Sequence, residues 1–204
     1  MFNKKNVATV TLTSLTALFI ATSAFADIDV GPYLGGGLGW GTIGSKTYNG
    51  INNENTNGGV SGRVFAGLTF TPNLGLEAGF TKFTDVNYSA NNNIISEKLK
   101  IQSYAVDMVG KVTLPLENNF SLFGKVGGAY LNENASATIT NISTGASASG
   151  NATHDAILPT FGAGLGYNIN KNVTADVSWM RIQKVGNTNL NSTDTAMFNL
   201  SYHF

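Results

Sequence analysis

Cysteine is missing from this sequence, and proline, histidine and charge are scarce: four prolines, two histidines and 12% charged residues in 204. Without cysteine there is neither a disulfide framework nor a thiolate metal site. Basic and acidic residues number 12 each, so the chain offers no footprint for nucleic acid and no strongly acidic partner surface. Beyond Val30 no apolar run is long enough for a membrane helix. A mean hydropathy near zero excludes nothing, because a barrel that alternates apolar and polar residues averages to the same value.

What is present begins with a leader. Lys4 and Lys5 precede a mostly apolar stretch over 7–25 that ends in Ala24-Phe25-Ala26. That pattern predicts a cleaved signal peptide over 1–26, with Ala24 and Ala26 as the small residues at the cleavage site. An N-terminal membrane anchor is the rival, disfavoured by the Thr and Ser in the stretch and by the lack of a basic stop-transfer flank. Removing the two lysines leaves a slightly acidic mature chain from Asp27.

From Val30 onward, period-two alternation recurs in segments of about ten residues, the length of a tilted transmembrane strand. Val60, Val64, Ala66, Leu68 and Phe70 share one face, while Ser61, Arg63, Phe65 and Thr69 share the other. A short turn at Thr71-Pro72-Asn73 leads to Leu74, Leu76, Ala78 and Phe80. The same reading pairs 103–114 with 120–130 through Pro115 and Asn119, and 157–167 with 173–179 through Asn170-Lys171-Asn172. The segments 30–42 and 196–204 open and close the set, giving eight antiparallel strands. Short turns alternate with long links near 43–58, 85–98, 132–154 and 183–193, the asymmetry of periplasmic turns and external loops. The fold class read from this pattern is all-β, an eight-stranded up-and-down transmembrane barrel over 27–204.

Volume decides which face is outside. The apolar faces carry Phe80, Phe161, Phe198, Tyr202 and many other rings, more than an eight-stranded interior can hold. Their partners are mostly Gly, Ser and Thr with a few charges, which predicts a narrow polar lumen. Phe70, Phe120, Tyr167 and Phe204 fall near the short turns, and Tyr104, Tyr130 and Trp179 near the long links, as two interfacial girdles would. Parity puts Arg63, Lys111 and Lys125 inside with Glu77, Asp107 and Asp176, a balance that predicts a paired internal network.

Several motifs together resemble the transmembrane domain of the OmpA/OmpX family of outer-membrane proteins. They are Gly31-Pro32-Tyr33-Leu34-Gly35 with Leu38-Gly39-Trp40, then 72–80, and Gly124-Lys125-Val126-Gly127-Gly128. The last strand, with Phe198, Leu200, Tyr202 and terminal Phe204, is similar to the signal by which the barrel-assembly machinery recognises its clients. The resemblance implies a barrel without the peptidoglycan-binding domain of the long members. It also matches Glu77 and Lys111 to the family's internal ion-pair gate, while Gly166 and Asp176 depart from that pattern where an acid and a base are found.

Neither His154 nor His203 has a neighbouring Ser and carboxylate, so no catalytic site, metal site or cofactor is expected. The runs Gly35-Gly36-Gly37 and Gly162, Gly164, Gly166 alternate along strands with no helix after them, which favours close packing over a nucleotide loop. The triplets beginning at Asn134, Asn141 and Asn151 fit a polar loop composition. The links are rich in Asn, Ser, Thr and Gly, as at 52–57 and 143–150, which suits display at a surface. The expected function is therefore a structural protein of the bacterial outer membrane that supports envelope integrity and offers its loops to a host ligand or phage. Its expected partners are outer-membrane lipid and lipopolysaccharide, the barrel-assembly machinery and periplasmic chaperones. The alternatives are a narrow gated ion-conducting pore and an outer-membrane lipid-modifying enzyme. Eight strands leave no room for a general porin.

Overall fold

Alternation of the kind seen in Ala196, Phe198, Leu200 and Tyr202 gives each strand one apolar and one polar face, and a sheet built from such strands removes its own edges by closing. A computed structural model describes residues 30–43, 58–91, 95–186, 190 and 192–204 of the chain. The leader, with Ala24 and Ala26, lies outside the described residues. The strands are β1 (Gly31–Ile43), β2 (Gly58–Thr71), β3 (Leu74–Lys82), β4 (Val86–Asn91), β5 (Ile95–Pro115), β6 (Phe120–Asn141), β7 (Ser147–Asn168), β8 (Val173–Ile182) and β9 (Thr193–His203). Neighbours in sequence pair antiparallel, and β9 returns to β1 in a register running from Tyr33↔His203 to Ile43↔Thr193. Both β3 and β4 pair with β5 and form one crossing interrupted at 83–85, so the closed barrel has eight walls. No helix among the described residues is long and apolar enough to cross a membrane.

Burial follows the same parity. In β9 every second residue is buried, while Phe198, Leu200 and Tyr202 stay about half exposed on the outside. Leu34, Leu38, Val64, Val126, Leu165 and Val177 are likewise exposed. A continuous apolar belt of this extent is far more than a water-facing surface carries and matches hydrocarbon as its solvent. Phe70, Phe120, Tyr167 and Phe204 are exposed towards the short turns; Trp40 and Trp179 are exposed, and Tyr104 and Tyr130 half-buried, towards the long links. Rings pair along the outer wall, as in Phe120 with Tyr167 at 5.0 Å and Phe161 with Trp179 at 5.8 Å. At the tight turn between β5 and β6, Asn118 and Asn119 take positive φ (58° and 66°), a conformation Asn tolerates better than most residues.

Two expectations need correction. The link over 132–154 is mostly strand: β6 continues to Asn141 and β7 begins at Ser147, joined through 142–146. Much of 85–98 is strand as well, in β4 and the start of β5. Those segments lack hydrophobic alternation because no membrane or core selects one face there, yet the barrel below supplies a template that the hydrogen-bonded ladder extends. With 21, 22 and 22 residues, β5 to β7 are about twice as long as a strand needs to cross a bilayer. They carry a sheet beyond the barrel on the side of the long links.

The second correction concerns the interior, which is not simply polar. Tyr33, Phe65 and Phe123 are buried inside, and glycines on facing strands make room for them. A Cβ on Gly35 would collide with the Phe65 ring, one on Gly67 with Tyr33, and one on Gly164 with Phe123. Towards the long links the interior holds an apolar cluster of Phe83, Ala105, Ala129, Leu131, Leu158, Ile182 and Leu190.

Candidate functional site

The charged residues that parity sends inward come from β2, β3, β5, β6 and β8, and four of them meet. Arg63 on β2 donates from Nη1 and Nη2 to the two carboxylate oxygens of Asp107 on β5, at 2.5 and 2.7 Å. Its Nη2 also reaches Glu77 Oε1 on β3 at 3.1 Å, and its Nη1 reaches Thr81 Oγ1 at 3.0 Å. Lys125 on β6 donates to both oxygens of Glu77, at 2.7 and 3.0 Å. The Tyr33 hydroxyl completes the shell of Glu77 at 3.0 Å. Glu77 is fully buried and Arg63, Asp107 and Lys125 nearly so. Ions this deep cost several kcal/mol each unless paired, and here the forked guanidinium geometry and the shared carboxylate offset that cost with two positive and two negative charges. The cations also lie on rings: Arg63 over Phe65, and Lys125 between Phe65 and Phe123.

Lys111 and Asp176 stand apart from this cluster. Lys111 makes no ion pair with Glu77; its ammonium lies 4.6 Å from the Phe123 ring centre and 5.5 Å from that of Tyr33. The direct partners of Glu77 are Lys125 and Arg63, which corrects the pairing implied by the family resemblance. The cause is position: Gly75 on β3 faces Lys111 in the ladder, one inward step towards the turns from Glu77. Asp176 accepts a bond from Asn199 Nδ2 at 2.6 Å, and the same amide reaches Ser178 at 2.9 Å.

At the turn end, Lys111, Tyr33 and His203 line a cavity of about 30 Å³ together with Thr69, Thr113 and Thr174, room on the order of a water molecule. The His203 ring stacks on Tyr33 at 5.1 Å, with Thr174 Oγ1 at 3.4 Å from its Nε2. His154 lies exposed in the upper part of β7, opposite Glu133 in the ladder. No group of three or more metal-binding side chains occurs among the described residues. Phe198, Leu200, Tyr202 and Phe204 line the outer wall beside β1 and β8.

Two parts of the interior were missed in the sequence. Tyr33 has the parity of Gly35 and Gly37 and alternates with Leu34 and Leu38, so its inward direction was readable from β1. Leu131 and Leu158 also have inward parity, hidden because the strands were taken to end beside them.

The residues 11–204 match the profile of the outer membrane protein beta-barrel domain. The chain belongs to that family. Its members are barrels of the bacterial outer membrane, and the apolar outer wall is the surface such a setting needs. An uncharacterized protein from Coxiella burnetii is 29% identical over 98% of this chain and 99% of its own length. Among solved structures, Neisserial surface protein A superposes with a TM-score of 0.54 at 14% identity, covering 85% of this chain and 97% of its own. OprG from Pseudomonas aeruginosa gives 0.54 at 12%, covering 86% and 96%. Ail, the attachment invasion locus protein of Yersinia pestis, in complex with the heparin analogue sucrose octasulfate, gives 0.53 at 18%, covering 86% and 100%. At such identities the likeness is one of fold.

Proposed function

We propose that this barrel is a sealed structural protein of the outer membrane, whose working surface is the sheet of β4 to β7 and the external loops, and which supports envelope integrity and surface attachment. The carrying observation is that the lumen is filled at two levels, by the ion cluster around fully buried Glu77 and by the apolar cluster around Leu131 and Leu190, exposed by 0% and 1%. A filled interior leaves the outside to act. Long β5, β6 and β7 lift a polar sheet clear of the bilayer, and the Ail complex with a sulfated sugar offers a precedent for a ligand held by such a barrel. In this reading the leader ending at Ala26 is removed on export, β9 is presented to the barrel-assembly machinery, and no cofactor takes part.

Refolded protein in planar bilayers is expected to give no discrete conductance. Steps that change on Lys111→Met would overturn the sealed barrel in favour of a narrow ion path past Lys111. For the attachment role, Glu133 faces His154 across the ladder, so residues 134–153 can be exchanged for an Asn-Gly turn without disturbing the barrel. Cells carrying the shortened protein should lose attachment while retaining periplasmic enzymes; unchanged attachment would rule out the sheet as its seat.

A further inference from the structure

Lipid-facing parity continues where the barrel wall ends. On β5 the outward positions run from Met108 and Val106 to Tyr104, then to Gln102, Lys100 and Lys98, in unbroken register with β6. Tyr104 stacks on Phe80 at 5.9 Å, and Lys82 stands opposite Tyr104 in the ladder. That aromatic pair marks the upper edge of the apolar belt. Directly above it, Lys82 and Lys100, each about half exposed, share one carboxylate, Asp85, at 3.5 and 2.9 Å. Gln102 Nε2 donates to the same carboxylate at 2.8 Å. Hydrogen bonding from Lys100, with the charge of both lysines, holds the Asp85 carboxyl below its ordinary range, so it is ionised at neutral pH. On the β4–β5 side of this face Lys82, Lys98 and Lys100 thus have one acid among the described side chains, Asp85; the next carboxylate of the same parity, exposed Asp155, lies two strands away on β7, in line with Tyr104.

Above the level of Asp155, the adjoining positions of this face on β6 and β7 are amides and hydroxyls. Asn134 and Ser136 on β6 lie opposite Gln102 and Lys100, and Asn151 on β7 lies opposite Ser136. On the β8–β9 wall, above Trp179, Arg181 is instead paired one to one with Asp194 at 3.3 Å. An ammonium carries three donors, and Lys82 and Lys100 each spend one on Asp85, leaving donors for an anion with several oxygens.

We propose that this face holds the phosphorylated sugar headgroup of lipopolysaccharide in the outer leaflet, with phosphates on Lys82, Lys98 and Lys100 and sugar hydroxyls on the adjoining amides and hydroxyls. A membrane lipid is favoured over a soluble glycan because the basic column starts beside the Phe80–Tyr104 stack and rises from the lipid-facing wall. The assignment rests on the long links facing outward, as in the proposed function.

The test uses the full refolded chain in neutral-lipid nanodiscs, titrated with lipopolysaccharide or with the same lipid stripped of its phosphates by a phosphatase. Phosphate-bearing lipid should bind more tightly, and the variant K82Q/K98Q/K100Q should lose at least about tenfold of that affinity. Heat-dependent gel mobility verifies that the variant is folded. R181Q/D194N, which removes the paired charges of the β8–β9 wall, should bind as the parent does. Equal binding of the two lipids, or unchanged affinity in the triple variant, would overturn the proposal. Conductance on the same preparations reads the sealed-barrel proposal separately, so either can fail without the other.

Discussion

The middle of the lumen and its loop end are both packed with side chains, by opposite chemistry. In the middle, Arg63, Glu77, Asp107 and Lys125 satisfy one another through directional bonds, with Tyr33, Phe65 and Phe123 packed around them. At the mouth, Phe83, Leu131, Leu158, Ile182 and Leu190 pack together with no polar bond between them. A charged plug is costly to damage on one side, because the surviving partner remains buried and unpaired. An apolar plug loses only the volume removed and the packing around it. One barrel therefore carries a brittle seal and a compliant one.

The comparison can be broken or sharpened by substitution, read as urea unfolding of the refolded barrel in detergent. Glu77→Ala should have the largest effect, on the order of 3–5 kcal/mol, since it strips Lys125 and Arg63 of a common partner. A loss below about 1 kcal/mol would mean that water or lipid headgroups already screen the cluster. Leu131→Ala at the mouth should cost about 2–4 kcal/mol through a cavity; a cost equal to that of Glu77→Ala would erase the contrast between the seals. Lys111→Met should be milder than either, about 1 kcal/mol or less, because this lysine loses ring contacts and no ion pair. A loss as large as that of Glu77→Ala would show Lys111 to be a full member of the cluster.

The smallest effect lies outside the lumen, at Asp85. Its carboxyl is lowered chiefly by the hydrogen bond from Lys100. A depressed folded value means that its stabilisation is present above the ordinary carboxylate pKa and fades as pH falls through the lower, folded one. Parent and Asp85→Asn should therefore differ slightly at neutral pH and converge in acid. A difference that grew on acidification would contradict this sign.

Much of the architecture could be read from spacing because a membrane strand has few choices. Leu34, Val64, Val126 and Phe198 must all face hydrocarbon, and each then sends its neighbours inward, which located Arg63, Glu77, Asp107, Lys125 and Asp176 before any coordinates. Above the bilayer that constraint is lost. Residues 132–154 resemble a loop in composition because both faces are free to be polar, and only pairing with an already ordered neighbour shows that β6 and β7 continue.

The sequence by itself determined the eight walls, their antiparallel order and the direction of each side chain, since period-two alternation in a lipid solvent admits one answer. Tertiary structure alone decided which inward residues meet. Strand stagger around a closed barrel sets the height of each side chain in the lumen, and that height joins Glu77 to Lys125 rather than to Lys111 and brings Leu190 down onto Leu131. Parity is a local property of a strand, whereas height in the lumen depends on the register of every strand in the ring.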